Sequence, residues 1–201
     1  MQRLWLAIAL LVCAAAALSA QQVKIESILK YVNDDFVTTL EVRQARLLDL
    51  VDPASKTDDE IAMRIIERRL ELAEIKRVAP RDPAPPAVQA RRAEWEATLG
   101  GANVANLLRE AGMSEVNLTN WLRDDVRIQT YEEQVFGARA TPTRAEMLDY
   151  FQRHIAEYTK DGVAQTFEAA GAQVRRQLRD ANMAVLVKAW AESLVRRADV
   201  R

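Results

Sequence analysis

From Thr38 onward, apolar residues recur at steps of three and four along most of the chain, the period of helices that bury one face. The longest such run, Thr166 to Ala198, contains no Pro. Thr166 is its expected N-cap, and Gly171 is the only weak helix former in its interior. In its first half Phe167, Ala170, Val174, Leu178 and Ala181 make an apolar stripe, with Arg175, Arg176, Arg179 and Asp180 on the other side. In its second half Met183 to Val187 and Ala189 to Ala191 leave almost no polar face. A helix apolar all round is usually buried all round, so this one is expected to run through a shell of earlier helices. Lys188 and Glu192 interrupt it too soon for a membrane span. The pattern implies a fold closed by its own tail, with the first and last segments in contact.

The earlier elements follow from periodicity and end signals. Val23 to Val32 alternates weakly, then Asn33-Asp34-Asp35 and Phe36-Val37 follow, which predicts a short extended pair around an Asn-Asp turn. Thr38 with Glu41 forms a capping box, opening a helix that should reach about Val51 before Asp52-Pro53. Thr57 with Glu60 forms a second. Its helix is expected to turn Ile61, Ile65, Ile66, Leu70 and Ala73 inward and Arg64, Glu67, Arg68 and Glu71 outward, ending near Ala79-Pro80. Pro85 and Pro86 suit the first turn of the next helix, which runs to about Leu99 and stops at Gly100-Gly101. Asn103 to Ala111 is a short helix closed by Gly112. Ser114-Glu115 opens a long one expected to end at Gly137, with Leu118, Trp121, Leu122, Ile128, Tyr131 and Val135 as its stripe. Thr143 with Glu146 is a third capping box, with Met147, Tyr150 and Phe151 on one side of its helix. After His154 the helical pattern fades into a loop through Gly162. The prediction is an all-α protein of seven helices with two short strands as one terminal β-pair, closed by the long C-terminal helix.

Composition then narrows the class. The chain has 201 residues, 28 Lys and Arg against 29 Asp and Glu, and a net charge of −1, which argues against nucleic acid as a partner. Met1-Gln2-Arg3, the apolar run Leu4 to Ala17 and Leu18-Ser19-Ala20 read as a secretory signal peptide cleaved before Gln21. An uncleaved anchor is the alternative. Cys13 is the only Cys, and Val12 before it disfavours lipid attachment. The expected mature chain, 21–201, therefore has no disulfide, and it meets the membrane only transiently, through its leader.

Catalytic constellations are sparse. His154 is the only His, near a helix C-terminus where the dipole favours it. No spacing of His, Cys or carboxylates suits a metal, and Gly100-Gly101 stands alone without a phosphate loop. Asp124-Asp125 and Glu132-Glu133 read as solvated helix faces. No cofactor, metal or nucleotide is expected.

Five stretches, in order, resemble the chaperone domain of the SurA and PrsA type of extracytoplasmic foldase, a trigger-factor-like peptide-binding fold. They are Tyr31 to Val42, Ile65 to Leu70, Leu122 to Gln129, Thr143 to Phe151, and the terminal helix from Phe167-Glu168. In that family one or two parvulin prolyl-isomerase domains sit before the closing helix. Here the corresponding connector is only 155–165, too short for a domain, between N-terminal helices at 38–154 and a closing helix at 166–198. The resemblance implies a periplasmic chaperone that binds unfolded or nascent envelope proteins without catalysis. A prolyl isomerase is the enzymatic alternative, and a structural subunit with one dedicated partner is another.

Aromatic and Met side chains suit promiscuous contact with apolar segments. Trp95, Met113, Trp121, Met147, Tyr150 and Phe151 are the candidates for a peptide-binding surface, with Trp190 a further aromatic of the closing helix. Core packing is the competing role for each. Trp95 is expected to be the most exposed, because its helix is otherwise polar.

Overall fold

The computed structural model describes residues 26–78, 82–160 and 163–201. The expected leader, 1–20, lies outside the described residues, as does part of the 155–165 connector. Among the described residues the chain forms seven α-helices and two short β-hairpins, the all-α architecture that the periodicity predicts.

Strands β1 (Ile28–Val32) and β2 (Asp35–Thr38) pair antiparallel around the Asn-Asp turn, where Asn33 takes a φ of 50°. Val32 and Val37 point inward, while the cross-strand pair Tyr31 and Phe36 stays outside. Helix α1 (Thr39–Leu47) begins at the predicted capping box, with the Glu41 carboxylate accepting from the Thr38 N–H at 2.9 Å. It ends four residues before the expected stop at Val51. Asp49 adopts a φ of 50°, and the Leu50 N–H returns to the Ala45 carbonyl, so the chain has already turned before Pro53 is reached.

Helix α2 (Asp58–Val78) opens on the second box, with Thr57 and Glu60 exchanging hydrogen bonds. Its buried side differs from the expected one. Ile61, Ile65 and Ile66 face inward, but Glu71, Leu72 and Ile75 are buried further on and Ala73 is exposed. The helix has neighbours on more than one flank, α1 on one and α5 and α7 on others, so no single stripe describes it. Helices α3 (Pro85–Thr98) and α4 (Val104–Ala111) start at Pro85 and Asn103 and end at Gly100-Gly101 and Gly112, all three glycines having positive φ.

Helix α5 (Glu115–Ala140) continues through Gly137, which was expected to end it. Gly137 is buried, and a Cβ there would come within 2.6 Å of the Glu133 carboxylate, which reaches across to Arg179. The missing side chain gives that ion pair room, and Pro142 supplies the stop instead. Helix α6 (Arg144–Arg153) carries the third capping box. A 3-10 turn (Ile155–Tyr158) and the hairpin β3 (Thr159–Lys160) and β4 (Val163–Ala164) lead to α7 (Phe167–Val195).

The tail closes the fold as the pattern implies. Tyr31 and Arg201 exchange backbone hydrogen bonds at 2.7 and 3.1 Å, and the Asn33 N–H donates to the Asp199 carbonyl. Helix α7 packs on α2, α5 and α6 but is not buried on all sides. No residue from Ala181 to Trp190 is buried, and Val185 is 68 % exposed. The reason lies in the residue type. Ala181, Ala184 and Ala189 count as apolar but are small and strong helix formers, so they suit a surface as well as a core. Burial is confined to the ends of α7, at Ala170 and Val174 against α6 and at Ala191 and Leu194 near its other end.

Candidate functional site

The six aromatic and Met candidates fall into three places rather than one. Trp95 is the plainest correction. It is 2 % exposed, packed with Leu48, Leu108, Leu118 and Leu122, and its indole N–H donates to the Leu48 carbonyl at 2.7 Å. Leu48 is the C-cap of α1, where carbonyls lack helical partners, so Trp95 fills a core and satisfies a helix end together. A polar helix holding on by one large side chain buries that side chain. Met113 packs partly buried against the same cluster.

Trp121 is half-buried on the outside of the cluster made by β1, β2, α1 and α2. The Arg68 guanidinium lies 4.3 Å over its ring and donates to its carbonyl at 2.6 Å. Trp121 also walls a shallow cleft of about 260 Å3 between α2 and α5, with Asn117 and Asn120 beside it. Its Nε1 is buried and makes no hydrogen bond to the described residues.

Met147, Tyr150 and Phe151 do come together. With Tyr158, Phe167, Ala170 and Val174 they form the small core joining α6 to the start of α7. Phe151 contacts Tyr158 and Phe167 at ring separations of 5.1 and 5.7 Å. Tyr150 is half-buried and stacks on His154, whose Nδ1–H donates to the Tyr150 carbonyl at 2.8 Å. His154 is thereby fixed as a local cap.

Beside this core lies an open groove of about 650 Å3 between α6 and α7. Pro142, Met147 and Phe167 make its apolar floor, and Gly171 and Ala172 leave its α7 side low. A Cβ added at Gly171 would meet nothing within 4 Å. The rim is cationic, with Arg144, Arg175 and Arg176 against the single carboxylate of Glu168. Arg144 lies 5.3 Å over the Phe167 ring and 3.7 Å from Glu168, in solvent where such a pair is weak. Arg175 and Arg176 are exposed and make no ion pair with the described residues. The groove can seat an apolar side chain and hold a negative charge.

Two carboxylate pairs read as solvated faces are only partly so, Glu133 being exposed and Asp125 largely shielded. Asp125 is held by Arg68 through one oxygen and by Arg91 through the other, at 3.0 and 3.2 Å, all three largely shielded from water. That knot ties α2, α3 and α5 together. Glu71 on α2 is 9 % exposed, and its carboxyl is pushed up to about 7, first by burial and then by the charge of Glu132. Glu132 on α5 is pushed up to about 7 by burial. Glu133 pairs with Arg179 of α7, and Asp124 with Arg127. Adjacent residues on a helix point about 100° apart, so Asp125 meets α2 and α3 while Asp124 stays on its own helix, and Glu132 and Glu133 meet α2 and α7 respectively. The sequence shows that divergence but not which member meets a neighbour.

Among the described residues no cluster of His, Cys, Asp and Glu suits a metal ion, and no helix is long and apolar enough to cross a membrane. Compared with known proteins, the sequence matches no family model and no curated protein.

Proposed function

We propose that this chain is an extracytoplasmic chaperone-like protein that holds unfolded segments of exported envelope proteins and catalyses nothing. The observation that carries this reading is the open groove between α6 and α7, which has an apolar floor of Met147 and Phe167 and no acid–base pair set into it. Holding an unfolded segment needs an accessible apolar cradle and contacts weak enough to release. Accelerating X–Pro rotation instead requires a shaped, dry pocket that lowers a barrier of about 20 kcal/mol. The motif order that resembles SurA-type chaperones and the expected secretory leader support the same reading, with the periplasm as the proposed location.

The test pairs two assays on the purified protein. It should suppress aggregation of an unfolded outer-membrane protein, and it should not accelerate isomerisation of a proline peptide once host isomerases are removed. Tight binding to one folded partner, with no protection of unfolded clients, overturns this reading in favour of a structural subunit. Catalysis that survives purification overturns it in favour of an enzyme.

A further inference from the structure

Resting on that reading, we infer that the groove between α6 and α7 selects acidic apolar segments, seating an apolar side chain over Gly171 and the segment's carboxylates at Arg175 and Arg176. Three features of the groove converge on this ligand chemistry.

The first is Gly171. It lies inside a long helix with ordinary helical geometry, where Gly is less favourable than Ala. No positive φ requires it, and a Cβ would meet nothing. Its effect is on shape, because it leaves the groove low at mid-length. The second is the floor. Met147 is buried and Phe167 half-buried, and Met adapts its shape to different apolar partners. The third is charge. Three guanidiniums face one carboxylate, and that carboxylate, Glu168, sits at the Arg144 end. The opposite end, two helical turns along, has Arg175 and Arg176 with no acidic neighbour among the described residues that line the groove.

The length fits a short stretch of extended chain. From Glu168 to Arg176 the helix rises about 12 Å. An extended peptide covers that distance in about four residues. One apolar side chain in the middle and acidic side chains toward the Arg175 and Arg176 end satisfy both the floor and the rim. The burial term gives grip, and the charge term gives choice between segments.

Fluorescein-labelled peptides with one Phe-Leu centre and flanks of Glu, Gln or Lys test this by fluorescence polarisation. At low salt the Glu-flanked peptide should bind about tenfold more tightly than the Lys-flanked one, with the Gln-flanked peptide between them. The preference should shrink toward equality in high salt while binding itself persists, since only the charge term is screened. Charge reversal, Arg175→Glu with Arg176→Glu, should invert the order. Gly171→Phe should fill the groove and weaken all three peptides at least about tenfold, with the circular dichroism spectrum unchanged. Equal affinities for the three flanks, or an order that charge reversal leaves unchanged, overturns the inference while the chaperone reading stands. Binding to phosphatidylglycerol-rich vesicles without any peptide preference also overturns it and assigns the arginines to a lipid surface. If no peptide binds and no unfolded client is protected, both this inference and the functional reading fail.

Discussion

At the scale of single residues, the strongest local feature is the Asp125 carboxylate between Arg68 and Arg91. Two guanidiniums largely removed from water share this anion, and Arg91 has besides it only the exposed Glu94 carboxylate at 3.8 Å. Asp125→Ala leaves Arg68 without its ion-pair partner and Arg91 with only the exposed Glu94, and should cost roughly 3–5 kcal/mol in urea unfolding, the usual loss when one partner of a buried pair is removed. A loss below about 1 kcal/mol would mean that water already serves these groups. Glu71 behaves in the opposite sense. Glu67 and Glu132 face it as like charges, while Arg64 and Arg68 only partly offset them, and Arg68 is already engaged by Asp125. Its folded value of about 7 lies above the unfolded Glu value of about 4.3, so the native state holds the proton more tightly. The associated stability is full below about pH 4.3 and is lost as pH rises through about 7. Glu71→Gln should therefore flatten this part of the pH profile and stabilise the protein at pH 8 by about 1–2 kcal/mol. An unchanged slope between pH 5 and 8 counts against this assignment. Neither role was legible from sequence. Asp125 and Glu71 look like any helix-surface acid, and only the packing of α2, α3 and α5 against one another removes their water.

At the scale of elements, the signals that were legible are local ones. Thr38, Thr57 and Thr143 each bond forward to the backbone three residues on while the Glu there bonds back, as their spacing predicts. These motifs depend on neighbours in the chain alone. Gly137 and the middle of α7 failed for the converse reason, because tertiary contacts override propensity and an Ala-rich stretch does not announce its burial. Trp190 shows the consequence. It is half-buried against Tyr131 and Phe136, at ring separations of 5.3 and 5.8 Å, rather than enclosed by a shell. Emptying a fully buried Trp site costs about 3–5 kcal/mol, so Trp190→Ala at this half-open site should cost about 2 kcal/mol, read from the denaturation midpoint. A loss above about 4 kcal/mol would restore the picture of a fully enclosed helix.

At the scale of the whole molecule, the core is divided among several clusters, and α7 with the tail behind it joins all but the one around Trp95. One end of it packs with Met147, Phe151 and Tyr158 through Ala170 and Val174. Further along, Trp190 joins Leu72, Ile75 and Ile128 of α2 and α5, and beyond the helix Ala198 and Val200 reach the cluster under the first hairpin. The sequence indicated the closure, because a tail with apolar residues needs a partner. It did not indicate the division, since hydrophobic periodicity says which face is buried but not against which cluster. The division has an energetic consequence. The α6 cluster is small, and among the described residues α7 and the 3-10 turn cover it, whereas the hairpin, α1, α2, α3, α4 and α5 share two larger clusters. Small cores with few neighbours open at lower free energy than the global transition. Native-state hydrogen exchange should therefore show the amides of 144–160 and 163–178 exchanging through a local opening, several-fold faster than those of α2 and α5. The groove proposed to bind clients lies on that more easily opened part, so a bound Glu-flanked peptide should slow exchange there and leave α2 unchanged. Uniform protection across all seven helices would instead show one cooperative unit, in which α7 transmits the stability of the larger clusters to α6 without loss.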